Sequence, residues 1–142
     1  MIKCIIVFYT FCKKLLIFNK FFTIILIKGV MMFNRPIYLN QLINFKDKEQ
    51  IKVITGIRRC GKSSLLELFA QYLKEQGVKE NNILQINFED LKYNNMTYLE
   101  LNELVETQAQ KVKGNLYVFL DELQKIDKWE LTVNSLRLKK NI

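Results

Sequence analysis

A chain of 142 residues, 49% hydrophobic and 25% charged, is one domain at most and is large enough for a core. The net charge is +8, but Lys3, Lys13, Lys14, Lys20 and Lys28 lie in a first stretch that holds no acid, so only about +3 remains beyond it, too little for nucleic acid. Cys4, Cys12 and Cys60 form neither a C-x-x-C pair nor an even framework and there is no histidine, which argues against a disulfide scaffold or zinc site and fits a reducing cytosol.

Residues 1–32 are almost entirely Ile, Phe, Leu, Val and Lys, with no turn signal before Gly29. A transmembrane helix is one reading, but Lys13, Lys14 and Lys20 interrupt every apolar window. A signal peptide lacks its small-residue cleavage site. The preferred reading is an apolar, basic, non-functional extension outside the domain, since Met31 and Met32 stand just before an ordinary domain start. Residues 33–142 then form the domain. From Phe33 to Glu49, Arg35-Pro36 is a non-helical start, and Tyr38, Leu39, Leu42, Ile43 and Phe45 are spaced for one helix face.

Ile51-Lys52-Val53-Ile54-Thr55 is a β-branched strand that leads into Gly56-Ile57-Arg58-Arg59-Cys60-Gly61-Lys62-Ser63. This fits G-x-x-x-x-G-K-[ST], the phosphate-binding loop, at every fixed position. The glycines let the backbone curl its N–H groups toward a phosphate, and the helix that follows adds its positive end. Lys62 would reach the β- and γ-phosphates, Ser63 would hold Mg²⁺, and Ser64 opens the helix. A plain glycine turn without ligand is the alternative. Arg58 and Arg59 are open to phosphate, to a neighbouring subunit or to solvent alike, and Cys60 reads as a small loop residue. Leu65, Leu68, Phe69 and Tyr72 then recur at helical spacing up to about Gln76, with Gly77 as the C-cap.

Ile83–Phe88 reads as the second strand, with Glu89-Asp90 at its carboxyl end; Glu89 is a candidate to pair with Glu122 or its water, or a surface acid. Thr97-Tyr98-Leu99-Glu100 has capping-box spacing and predicts a helix from Tyr98 to about Val112. Leu116-Tyr117-Val118-Phe119-Leu120 is an apolar run without alternation, as in a strand buried on both faces of a parallel sheet. Asp121 and Glu122 at its end lie where such sheets bind ligands. Asp121 would hold Mg²⁺ through water and Glu122 would orient the attacking water, although acids at a helix start read the same way in isolation. Asp127-Lys128-Trp129-Glu130 predicts a helix from about Lys128 to Leu138 with Asp127 as N-cap and Lys139 and Lys140 at its negative end. Alternating strands and helices predict an α/β, doubly wound, mostly parallel fold.

The loop sequence, Ile86-Asn87-Phe88-Glu89-Asp90, and Phe119-Leu120-Asp121-Glu122-Leu123-Gln124 followed by Trp129-Glu130 resemble the AAA-type prokaryotic ATP-binding proteins whose P-loop domain precedes a domain of unknown function. The resemblance runs from about Met32 to the end. It implies a cytoplasmic P-loop NTPase of the additional-strand class that binds ATP with Mg²⁺ and drives conformational change in an attached domain or partner. Lys62 and Ser63 match the Walker A pair, Asp121 the Walker B acid and Glu122 the catalytic acid; Gln124 and Trp129 match positions without assigned chemistry. No residue matches the family's sensor strand, which inserts between the Gly56 strand and the Asp121 strand, or an arginine finger. The expectation is a partial sheet of three strands, either gapped or closed up at that position, and at best weak binding without turnover. An inert or membrane-associated remnant is the alternative, and an oligomer stays open.

Overall fold

A computed structural model describes residues 5–9, 23–27, 30–34, 36–48, 50–57, 59–139 and 142. Among the described residues, six strands and four α-helices follow in chain order: β1 (Ile5–Tyr9), β2 (Thr23–Ile27), β3 (Val30–Asn34), α1 (Pro36–Asn44), β4 (Lys52–Thr55), α2 (Lys62–Glu75), β5 (Ile83–Asn87), α3 (Tyr98–Lys111), β6 (Tyr117–Asp121) and α4 (Trp129–Arg137). Single 3-10 turns cover Glu80–Asn82, Leu91–Tyr93 and Leu123–Lys125. No helix among the described residues is long and apolar enough to cross a membrane.

The apolar run 116–120 dictates the layering. Along β6, Val118 and Leu120 face one side of the sheet, where with Leu116 they join Ile86, Leu101, Val105, Val133 and Leu136 under α3 and α4. Tyr117 and Phe119 face the other side and pack with Leu65, Leu66, Phe69 and Leu73 of α2 and Leu42 of α1. All five residues of β6 are buried, which explains why the run shows no polar alternation. The α2 face is locked by Phe69, whose ring meets Phe119 edge-on with centroids 5.9 Å apart.

The chemistry at the helix ends is local. Thr97 Oγ1 accepts from the Glu100 N–H at 3.3 Å and the Glu100 carboxylate accepts from the Thr97 N–H at 2.7 Å, so the capping box forms as its spacing predicts. After α2, Val78 N–H donates to Leu73 C=O and Gly77 N–H to Lys74 C=O, which closes the helix in a Schellman turn. Asn82 fastens the start of β5 to the turn before β6, its Nδ2 donating to Lys113 C=O at 3.0 Å and Asn115 C=O at 2.9 Å.

Three expectations are corrected. The sheet has four parallel strands in the order β4-β1-β6-β5, and the position expected to be empty or closed up is filled by β1. Ile6–Tyr9 pair with Lys52–Thr55 on one side, and Ile5–Val7 with Val118–Leu120 on the other. The physical reason is that a buried strand such as β6 leaves its backbone groups orphaned unless a strand pairs with them, and five uninterrupted apolar residues meet that need. Phe33 belongs to β3, which forms an antiparallel hairpin with β2, rather than to an approach segment. Finally, α4 is not capped by Asp127: Lys128 is the N-cap residue, at φ 58, and makes no side-chain cap bond. This left-handed residue turns the chain one position later than the Asp127 spacing suggests. Lys139 pairs with Glu106 of α3 at 2.9 Å instead of serving only the end of α4, and Lys140 lies outside the described residues.

Phe69→Ala should lower the unfolding free energy by about 3–5 kcal/mol, because a buried aromatic is replaced by a cavity between α2 and the sheet. Urea titration measures this, and a loss below about 1 kcal/mol would mean that α2 does not pack as described.

Candidate functional site

The strand β4 delivers its last residue, Thr55, directly into Gly56, and α2 begins at Lys62. Between them the loop is shaped by two glycines for two different reasons. A Cβ on Gly56 would lie 2.8 Å from Cys60 Sγ, so any larger residue there would have to displace the Cys60 side chain from its place against the loop. Gly61 holds φ 84 and ψ 30, a left-handed backbone that points the following N–H groups along the start of α2. Arg59 is also left-handed, at φ 61, and exposed. Ile57 is exposed, Cys60 is half-buried and Ser64 is exposed on the first turn of α2; Arg58 lies outside the described residues.

Lys62 is buried, and its ammonium donates to Ile57 C=O at 3.1 Å and Gly56 C=O at 3.3 Å. The cation thus sits inside the curl of the loop, held by carbonyls that a bound anion would replace. Cys60 Sγ lies 4.0 Å from the same ammonium.

The two motifs meet across the sheet. Ser63 Oγ donates to Asp121 Oδ2 at 2.6 Å, joining residues 58 positions apart. Asp121 is buried, and its other oxygen, Oδ1, has no hydrogen-bond partner among the described residues. Burial pushes this carboxyl above the usual Asp value of 3.8; the Ser63 hydroxyl opposes the shift, and the neighbouring Glu122 charge adds to it. A buried carboxylate with one orphaned oxygen beside a serine hydroxyl is a fitting donor set for a hydrated hard cation such as Mg²⁺. A cavity of about 240 Å³ opens beside the pair, with Glu67, Asn87, Asp90 and Lys92 among its lining residues.

Glu122 follows at φ 55 and ψ 37, a left-handed conformation for a non-glycine residue, which swings it out of the strand direction. Its Oε2 accepts a hydrogen bond from Gln124 Nε2. Gln124, which carries no assigned chemistry in the sequence, therefore holds one oxygen of Glu122. Trp129 is half-buried against the α3–α4 core. Glu89 does not meet Glu122: it is exposed, and its N–H donates to Asn87 Oδ1 at 2.8 Å. Asn87, by contrast, is in register with Asp121 and lines the same cavity. A polar residue at the carboxyl end of the strand, after Ile86 and before the Glu89-Asp90 pair, was the signal that could have found it.

The family described as AAA domain matches residues 48–142. An uncharacterized protein of Haemophilus influenzae is 40% identical over 111 residues, which is 78% of this chain and 28% of that protein. The uncharacterized protein MJ1544 of Methanocaldococcus jannaschii is 34% identical over 110 residues, 77% of this chain and 22% of that one. The chain thus spans less than a third of the length of the relatives it matches. No solved structure matches it.

Asp121 gives a prediction about pH. A carboxyl whose value is raised by folding contributes fully to stability below the unfolded value and loses that contribution as pH rises through the raised one. Asp121→Asn, which keeps an acceptor for Ser63 but cannot ionise, should therefore melt higher than the parent at neutral pH without nucleotide. The two melting temperatures should converge near pH 3.8. A variant that melts lower at every pH would contradict the buried-charge assignment.

Proposed function

Because the chain belongs to the family of AAA domains, we propose that Gly56–Ser63 binds the phosphates of ATP together with Mg²⁺, and that the site is built for hydrolysis that drives change in an attached domain or partner. The observation that carries this reading is the 2.6 Å Ser63–Asp121 hydrogen bond, which brings a complete phosphate loop to a buried acid at the end of a parallel strand. Backbone N–H groups of the loop and of the first turn of α2, including Ser64, donate hydrogen bonds to the oxygens of the β-phosphate. The Lys62 ammonium exchanges its carbonyl partners for phosphate oxygens. Ser63 and Asp121 hold the cation, which supplies neutralisation of the charge on the phosphates. Glu122, at the end of the same strand, accepts hydrogen bonds from the water that attacks the terminal phosphate. A cytoplasmic location and an oligomer with a further domain or partner belong to the same reading.

A second reading, binding without turnover, draws on one feature: Glu122 accepts a hydrogen bond from Gln124 and is not among the residues that line the cavity beside Asp121. The two readings separate by experiment. Lys62→Ala should weaken the binding of a fluorescent ATP analogue at least tenfold, and an unchanged affinity would sink the site assignment. Glu122→Gln should leave binding intact and slow hydrolysis about 10²-fold or more, since proton acceptance by a positioned carboxylate contributes that much. A parent that binds but does not turn over, with Glu122→Gln indistinguishable from it, would leave the second reading standing.

A further inference from the structure

We infer that Lys92 is a second phosphate-binding cation of this site, that it reaches the terminal phosphate of ATP from the β5 side, and that Asp90 is the residue that positions it. The inference rests on the reading of Gly56–Ser63 as a nucleotide site given above.

The two lysines flank the site from opposite edges of the sheet. Lys62 follows the loop launched from β4, and Lys92 lies on the turn that follows β5, the two outer strands of the order β4-β1-β6-β5. Asp121 ends β6, which lies between them in that order. Lys92 lines the cavity that opens beside Ser63 and Asp121, and it is the only cation among the described residues that do so. The acids of the same lining are Glu67, Asp90 and Asp121, and Lys62 is not part of it. At about 240 Å³ the cavity has room for roughly eight waters at ~30 Å³ each, which suits one phosphoryl group and its solvent rather than a whole nucleotide. A phosphate oxygen that points into this space therefore has Lys92, not Lys62, for its cation.

Lys92 is held as few surface lysines are. One carboxylate takes both of its ends: Asp90 Oδ1 accepts from the Lys92 N–H at 3.1 Å, and Asp90 Oδ2 lies 3.5 Å from the ammonium. The ammonium also sits 4.6 Å from the centroid of the Tyr93 ring. The turn is tied to the site by its backbone, since Phe88 N–H donates to Asp121 C=O at 3.0 Å, Asp90 N–H to Asn87 C=O at 3.1 Å and Tyr93 N–H to Asp90 C=O at 3.0 Å. Tyr93 is anchored in turn against Phe88, with ring centroids 5.8 Å apart. The base of Lys92 is thus fixed relative to Asp121, whereas its side chain is 61% exposed and its ion pair with Asp90 is a weak surface one. A phosphate oxygen can take the place of Asp90 at the ammonium without moving the turn. Phosphoryl transfer gains from positive charge brought to the oxygens of the transferred group beyond that of the loop lysine and the metal ion, and Lys92 supplies such a charge from within the chain.

The test uses the full chain with Mg²⁺ and compares fluorescent ADP with a fluorescent, non-hydrolysable ATP analogue, because only the second carries the phosphate that Lys92 touches. Lys92→Ala should keep its affinity for ADP within about twofold, lose at least about fivefold for the ATP analogue and slow hydrolysis at least about tenfold. Lys92→Arg keeps the charge and should retain most of both. Asp90→Asn still accepts from the Lys92 N–H but lacks the charge that holds the ammonium, so it should show the same ATP-specific loss at a smaller size. Equal losses for the two nucleotides in Lys92→Ala, no loss for either, or a Lys92→Arg variant no better than Lys92→Ala would overturn the role of Lys92. An Asp90→Asn variant that matches the parent, or that loses both nucleotides equally, would overturn the positioning role. In a parent that binds without turnover, the split between ADP and the ATP analogue decides alone. A parent that binds neither nucleotide refutes the nucleotide reading and this inference with it, whereas one that binds both with Lys92→Ala unchanged refutes this inference and keeps the reading.

Discussion

Everything at this site hangs on one hydrogen bond between residues whose strands are not neighbours. Ser63 rides on α2 at the end of a loop launched from β4, and Asp121 ends β6, with another strand in between. Neither side chain can find the other through local structure. Their contact is therefore a report on the whole sheet, on its strand order and on the packing of α2 over it. The edge-on contact of Phe69 with Phe119 acts on the same geometry from above, since it fixes the height of α2 over β6. The core under α3 and α4 supports β6 from below.

Holding a carboxylate in such a place costs stability, and the chain accepts that cost at one residue. Ser63 satisfies one oxygen of Asp121, whereas the other makes no hydrogen bond among the described residues. Glu122 adds like charge one residue on. The arrangement is unfavourable for a bare fold and favourable for one that receives a cation, which is the usual sign of a site where local rules yield to function. The left-handed backbone at Glu122 is a second such place, because a β-strand continuing into that acid would not require it.

How much of this was legible in the sequence depended on the range of each interaction. The turn from β4 into α2 at Gly61, the Thr97 capping box and the Gly77 helix stop are written in residues a few positions apart, and the structure forms them where the spacing puts them. The burial of β6 was legible from its lack of alternation. The seat of β1 was not: Ile5–Tyr9 is an apolar run, and an apolar run says that it wants burial without saying against what. The cap of α4 was misread because Asp127 and Lys128 both precede Trp129, and the choice depends on a left-handed turn at Lys128 that lysine does not advertise. The grip of Gln124 on Glu122 depends on the same kind of turn one element earlier. Arrangements that depend on an unusual backbone angle leave no periodic mark.

The strand order has a consequence for how the molecule assembles. β1 leaves the ribosome before both of its partners, and Val118 is made more than a hundred residues after Ile5. At synthesis rates of roughly 5–20 residues per second, the strand waits several seconds or longer with its apolar faces uncovered before its second edge exists. Its pairings are also among the most distant in sequence, and contacts of that kind form slowly because a large loop must close first. Of the four strands of this sheet, β1 is thus the one that waits longest for its second edge, and the one that most needs shielding until β6 emerges.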